Sequence, residues 1–258
     1  MRPDSIALTG PAAAAHFGLD GFAGLDWTPR WCAPPNGARH REVIRTRRWL
    51  PPIECDGVLL AAPALVVRHL GIAPSIEWAR RDRITRRDRI ELAIEHALRE
   101  GLFEPRDLDA TGGHTGSPDV VAILNERGHE PPTESYAETR ALQLLRRGGW
   151  TPWRQMRVHA RGTVVRRVDF VIPYRPILRP QVLLPGTGLL VEIDGREFHE
   201  RRFEEDHRRQ TTYDRLGHRW TSFSATQIER EPRVVLAAIG EIFAKETSKQ
   251  RARSLRSA

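Results

Sequence analysis

The chain is expected to be an α/β protein. Its C-terminal core, 131–247, should run α-β-β-β-α-β-α, behind a small mixed α+β domain over 1–130 and ahead of a basic, disordered tail over 248–258. Three observations predict this. Apolar residues alternate with period two in 164–172 and 189–194 and recur at helical spacing in 90–98. Proline and glycine clusters separate these segments. Finally, 258 residues at 40% hydrophobic content suffice for one large or two modest cores.

The elements follow in order. Ala-rich 11–19 reads as a small helix ended by Gly18, and short strands follow at 30–33 and 42–45 around the Pro34-Pro35-Asn36-Gly37 turn. A further strand is expected at 58–60 and a helix at 62–70. Segment 76–89 alternates six arginines with Asp82 and Asp88, which reads as a solvated linker or helix face in preference to a phosphate site. Ile90, Ala93, Ile94, Ala97 and Leu98 share one helical face, ended by Gly101. Ser117-Pro118 opens another helix, and the polar turn at 127–132 marks the domain boundary.

Beyond it, 135–147 is a helix, 153–158 and 164–172 form a hairpin about Arg161-Gly162, and a Pro-rich connection at 173–188 leads to a strand over 189–194. A helix at 203–216, a strand at 219–223 and a final helix at 225–244, interrupted by Pro232, complete the order. Val168, Phe170 and Ile172 are expected on one face of their strand with Asp169 on the other. Leu189, Val191 and Ile193 should oppose Glu192 and Asp194.

Acids in a strand destined for burial break the usual apolar rule, and carboxylates packed together repel unless a cation or proton intervenes. Asp169, Glu192 and Asp194 are therefore expected to converge on a hard divalent metal, Mg2+ or alternatively Mn2+, whose preference is for carboxylate oxygen and water. The net charge of +8 points modestly toward nucleic acid; of the 41 basic residues only Lys245 and Lys249 are lysine, a ratio that codon bias explains. Cys32 and Cys55 form no CxxC pair, no apolar run reaches a membrane span, and no secretory signal is read, so a cytoplasmic protein with no membrane partner is expected.

As an ordered set these residues resemble the PD-(D/E)xK nuclease superfamily, closest to its very-short-patch repair (Vsr) endonuclease branch, over about 133–245. The carrying residues are Ser135-Tyr136-Ala137-Glu138, Gln155, Arg167-Val168-Asp169-Phe170, Val191-Glu192-Ile193-Asp194-Gly195 with His199, Phe203-x-x-Asp206-x-x-Arg209, and Leu216-Gly217-His218-Arg219-Trp220. The resemblance implies a restriction-endonuclease-like core and a metal-dependent DNA endonuclease, in repair or phage defence. It makes Asp169 the metal-bridging aspartate, Glu192 the first acid of the E-x-K pair and His199 the proton-transfer histidine. Asp194 stands where the superfamily has lysine, which leaves open whether His199, Gln155 or a second metal orients the water. Bland roles stand beside these. Glu138 also fits a helix cap, Gln155 a hydrogen-bonding strand residue, Asp206 and Arg209 a structural ion pair, and His207 and His218 surface or core histidines. Arg166, Arg167, Arg196, Arg201, Arg202, Arg208 and Arg209 surround the site as candidate phosphate contacts.

Residues 11–128 are more loosely similar to the region behind the DNA-binding head of AbiEi-type antitoxins, through Ala12-Ala13-Ala14-Ala15-His16-Phe17-Gly18-Leu19, Gly57 to Leu65 and the Ala93-x-x-His96-Ala97-Leu98-Arg99 helix. No winged helix is read ahead of them. Two alternatives to the nuclease stay open: an inactive, DNA-binding or antitoxin-like regulator that keeps a nuclease fold, and a structural partner of an operon-encoded protein.

Overall fold

The computed structural model describes residues 6–35, 43–46, 49–72, 84–110, 118–160, 163–194 and 211–256. The chain divides into two compact units, Met1–Pro132 and Thr133–Ala258. Both mix helices with a mixed sheet, which is the α/β class.

In the first unit the strands are β1 (Ala7–Thr9), β2 (Arg30–Ala33), β3 (Val43–Arg45), β4 (Ile53–Cys55) and β5 (Val58–Leu60), in sheet order β3-β2-β1-β5-β4. β1 is antiparallel to β2 and parallel to β5, and β4 and β5 form an antiparallel hairpin. Helices α1 (Gly10–His16), α2 (Pro63–Leu70), α3 (Arg86–Arg99), α4 (Pro105–Ala110) and α5 (Pro118–Arg127) complete it. Pro11 and Pro63 stand in the first turns of α1 and α2, where no amide donor is needed. The Thr85 side chain caps α3 by accepting from the Asp88 amide at 3.1 Å.

Three of these elements go beyond what the sequence predicts. β1 precedes the helix expected to come first, and no sequence pattern marks β4 or α4. Each is six residues or shorter, too brief to develop a period of its own. The arginines at the end of 76–89 are structural. Arg89 is buried, donates to the Gly21 carbonyl and lies 5.7 Å from the Trp27 ring centre. Arg86 donates to the Gly71 carbonyl, and Arg87 pairs with Glu126 at 2.6 Å. Residues 73–83 lie outside the described residues.

The second unit opens with α6 (Tyr136–Arg147) and continues through β6 (Trp153–Ala160), β7 (Thr163–Pro173), β8 (Gly188–Asp194) and β9 (Arg219–Ser224) to α7 (Ala225–Arg230) and α8 (Pro232–Arg256). Between β8 and β9, residues 211–215 are helical, and 195–210 lie outside the described residues. The sheet order is β6-β7-β8-β9, antiparallel except for the parallel pair β8-β9. Ala141, Leu142, Leu145, Phe170, Ile172, Leu189, Val191, Val235 and Ile239 form the apolar layer between one sheet face and α6, α7 and α8. Trp153, Met156, Val158, Val168, Val171, Leu190 and Tyr213 form a second layer. At β8 the opposition of Leu189, Val191 and Ile193 to Glu192 holds.

Two expectations are corrected. Val168 does not share a face with Phe170 and Ile172; it joins the Met156 and Val158 layer. The alternation slips at Asp169, opposite Gln155, whose φ of 49° takes that residue out of extended geometry. The tail from 248 is not disordered, since α8 runs through it to Arg256. After Pro232 the helix meets no further proline and is rich in Ala, Glu, Lys and Arg, all good helix formers. Among the described residues no helix is long and apolar enough to cross a membrane.

Candidate active site

Pairing of β7 with β8 ends at Phe170↔Val191. One step further the ladder opens, and Asp169 fills the gap with its side chain, Oδ2 accepting from the Ile193 amide at 2.8 Å. The β6-β7 register of Arg154↔Phe170 and Met156↔Val168 sets Gln155 opposite Asp169. β8 and β9 run Glu192↔Ser222 and Asp194↔Ser224. Gln155, Asp169, Glu192 and Ser222 thus form one row across the sheet, at the level where its regular pairing breaks.

Glu138 reaches this row from the first turn of α6. Its amide donates to the Ser135 hydroxyl at 3.1 Å, and that hydroxyl donates to Glu138 Oε1 at 3.0 Å. The other oxygen, Oε2, accepts from the Glu134 amide and from Gln155 Nε2, both at 2.8 Å. The cap reading and the site reading of Glu138 are therefore compatible. The carboxylate satisfies the helix start and ties it to the strained strand residue. Gln155 is itself buried, and its Oε1 has no hydrogen-bond partner among the described residues. A left-handed, non-glycine residue costs on the order of 1–3 kcal/mol, and such strain concentrates at functional sites. Half-satisfied buried amides are costly as well.

Glu192 is buried too. Its Oε1 accepts from the Tyr213 hydroxyl at 2.6 Å and lies 3.6 Å from Arg166 Nε. Tyr213 is fully buried against Trp220, ring centres 6.0 Å apart. The consequence of collecting acids appears at Asp169, whose carboxyl is pushed up to about 7. Burial is the main cause, and the neighbouring charges of Glu138, Glu192 and Glu134 add to it, against the Ile193 hydrogen bond.

Of the sequence-predicted site residues, then, Asp169, Glu192, Glu138 and Gln155 come together. Asp194 does not complete the expected triad. It stands half-buried at the end of β8 and is not among the groups that raise Asp169. Asp169 lies opposite Glu192, and Asp194 stands two residues further toward the C-terminal end of β8. Among the described residues no group of three or more His, Cys, Asp or Glu side chains is arranged to hold a metal ion. His199, Asp206, His207 and Arg209, together with Arg196, Arg201, Arg202 and Arg208, lie outside the described residues. His218 is a core histidine, lowered by burial.

Three participants were not anticipated. Glu134 belongs to the acid cluster, Tyr213 grips Glu192, and Arg166 faces that same carboxylate where a phosphate contact was expected. No local pattern marks Tyr213, which looks like any aromatic on a helical face. The chain matches no family model, no curated protein and no solved structure.

Proposed function

We propose that the second unit is a metal-dependent DNA endonuclease site built on a restriction-endonuclease-like core. One observation carries the reading. Asp169, Glu138 and Glu192 are gathered at the point where a sheet opens, where burial first and the neighbouring carboxylates second raise the Asp169 carboxyl. The cap and hydrogen bonds of these side chains do not offset the like charges collected there. A divalent cation would neutralise them.

The donor chemistry suits Mg2+ or Mn2+. All the donors are hard carboxylate oxygens, and Mg2+ keeps several waters while using only one or two carboxylates. Asp169 and Glu192 are the pair that would hold the ion, so a dense three-acid cage is not required. Such an ion supplies Lewis-acid polarisation of a phosphodiester and a more acidic bound water. The chain's own residues do the rest. The Ile193 amide and the Tyr213 hydroxyl each hold one oxygen, of Asp169 and of Glu192 respectively, and so orient the two carboxylates. Glu138 fixes Gln155 through Nε2, and the unsatisfied Oε1 is a ready hydrogen-bond acceptor for a bound water, which it would orient without taking its proton. With lysine absent at 194, Gln155, His199 or a second metal is left to orient the water.

A second reading is favoured by the missing metal-binding triad among the described residues: an inactive nuclease fold that binds DNA, as an antitoxin-like regulator or beside an operon-encoded protein. One experiment separates the two. The purified protein is incubated with single-stranded, double-stranded and mismatched DNA in Mg2+, Mn2+ or EDTA, beside Asp169→Ala. Cleavage that needs the metal and Asp169 supports the enzyme. Cleavage that survives both EDTA and the substitution refutes this site, and salt-sensitive binding with no cleavage favours the second reading.

A further inference from the structure

Resting on that DNA-directed reading, the geometry points to the hairpin of β6 and β7 as the surface on which the nucleic-acid backbone lies. Arg157 and Arg167 are its standing phosphate contacts, and Arg166 is a third contact released when a divalent cation takes over the charge of Glu192.

Three features of the hairpin lead there. β8 pairs only with residues 170–173 of β7, so residues 163–168 pair, among the described residues, with β6 alone and form an arm beside the acid row. The arm is anchored from one side by Met156, Val158 and Val168, all buried in the second apolar layer, which leaves the alternate residues on its outward side. On that side Arg157 and Arg167 are directly opposite each other. Like charges in such a pair destabilise a hairpin, and an anion bridging them removes the penalty. Both residues are exposed. Arg167 pairs with Glu134, but each of those side chains is about half accessible (49% and 48%), so exchanging that partner for a phosphate costs little.

Arg166 differs. It pairs with buried Val158 and so points to the other side, where its Nε lies 3.6 Å from Glu192 Oε1. In the metal-free protein it supplies part of the positive charge that Glu192 lacks. A cation held by Glu192 makes that charge redundant and repels the guanidinium, which is 38% exposed and can swing outward. Metal and DNA then bind with positive coupling.

The test is fluorescence anisotropy with a labelled duplex, titrated across KCl in EDTA and in Ca2+, with gels to check that the DNA stays intact. Wild type is compared with Arg157→Ala, Arg157→Gln, Arg167→Ala, Arg166→Ala and the exposed control Arg233→Ala, and circular dichroism and thermal melting verify each fold. Removing one arginine that neutralises a phosphate should flatten the log K against log[salt] slope by about 0.9. Arg157→Ala, Arg157→Gln and Arg167→Ala should show this in both conditions, Arg166→Ala only in Ca2+, and Arg233→Ala in neither. Wild-type slopes in the Arg157 and Arg167 variants would overturn the arm as the docking surface while leaving the nuclease reading intact. An equal change for Arg166→Ala in EDTA and Ca2+ would overturn its release by metal. If wild type shows no salt-sensitive binding at all, the DNA reading fails and the arm with it.

Discussion

Replacing Asp169 by Asn should make the metal-free protein more stable at pH 8. The Asn side-chain oxygen can still accept from the Ile193 amide, so the perturbation removes a charge and keeps the geometry. In the folded protein the Asp169 carboxyl is pushed from 3.8 to about 7, chiefly by burial and then by Glu138. A folded pKa above the unfolded one means that the native state holds the proton more tightly. The stability this contributes is complete below about 4 and is lost as pH rises toward 7. A shift of about three units corresponds to about 4 kcal/mol, of which a half-buried, partly solvated group should retain about 2. The Asn variant has no such loss. In EDTA, its advantage over wild type in urea unfolding should therefore be near zero at pH 4, open progressively, and level off at about 2 kcal/mol above pH 7. Mg2+ should then close the gap from the other side. A cation present at about 100 times its Kd stabilises the protein that binds it by about 2.7 kcal/mol, and Asp169→Asn should gain much less. If the Asn variant is less stable than wild type at pH 8 in EDTA, or the gap ignores pH, Asp169 is an ordinary structural carboxylate and the electrostatic case for the site fails.

Other consequences are independent of that one. His69 is buried with Nδ1 2.8 Å from the Thr9 hydroxyl, and burial followed by the Arg68 charge lowers it to about 4. Its contribution is intact above about 6.5 and is lost as pH falls toward 4, by about 3 kcal/mol, so His69→Gln should flatten the acid limb of the first unit's stability measured by calorimetry. Glu95 and Arg127 pair at 3.2 Å with accessibilities of 0% and 6%. Arg127→Met alone should cost about 3–5 kcal/mol in denaturant unfolding, and the double variant with Glu95→Leu should recover most of it, because a buried carboxylate deprived of its guanidinium is costlier than an apolar pair. Tyr213→Phe removes only the hydroxyl on Glu192. It should lower stability by about 1.5–3 kcal/mol and weaken divalent-cation binding in calorimetric titration, and unchanged metal affinity would argue against Glu192 as a ligand. Ser224→Ala, which breaks the capping box that starts α7, should cost about 1 kcal/mol without altering metal binding.

Much of the architecture was legible in the amino acids. The strands at Trp153–Ala160, Thr163–Pro173, Gly188–Asp194 and Arg219–Ser224 follow from runs whose apolar alternation or β-branched content is local information, and the ends fall within a few residues of expectation. The break at Pro232 and the cap at Ser135 rest on single residues with strong backbone preferences. The same locality explains the failures. β1, β4 and α4 are too short to carry a period; Ala7, Leu8 and Leu108 hold β1 and α4 in the first unit's core, and β4 is held by its antiparallel pairing with β5.

The sequence by itself determined that Asp169 and Glu192 sit on strands and Glu138 on the first turn of a helix, because those placements depend on neighbours a few residues away. Only the tertiary structure decided which acids meet. Register is a relation between distant segments, and a single irregular residue resets it. Gln155, turned into the left-handed region opposite Asp169, shifts the face of Val168 and opens the row. Cross-strand placement then brings Glu138 and Glu192 to Asp169, leaves Asp194 aside, and assigns Glu192 to Tyr213 and Arg166. Such partners are separated by tens of residues along the chain, so no window of sequence contains them together.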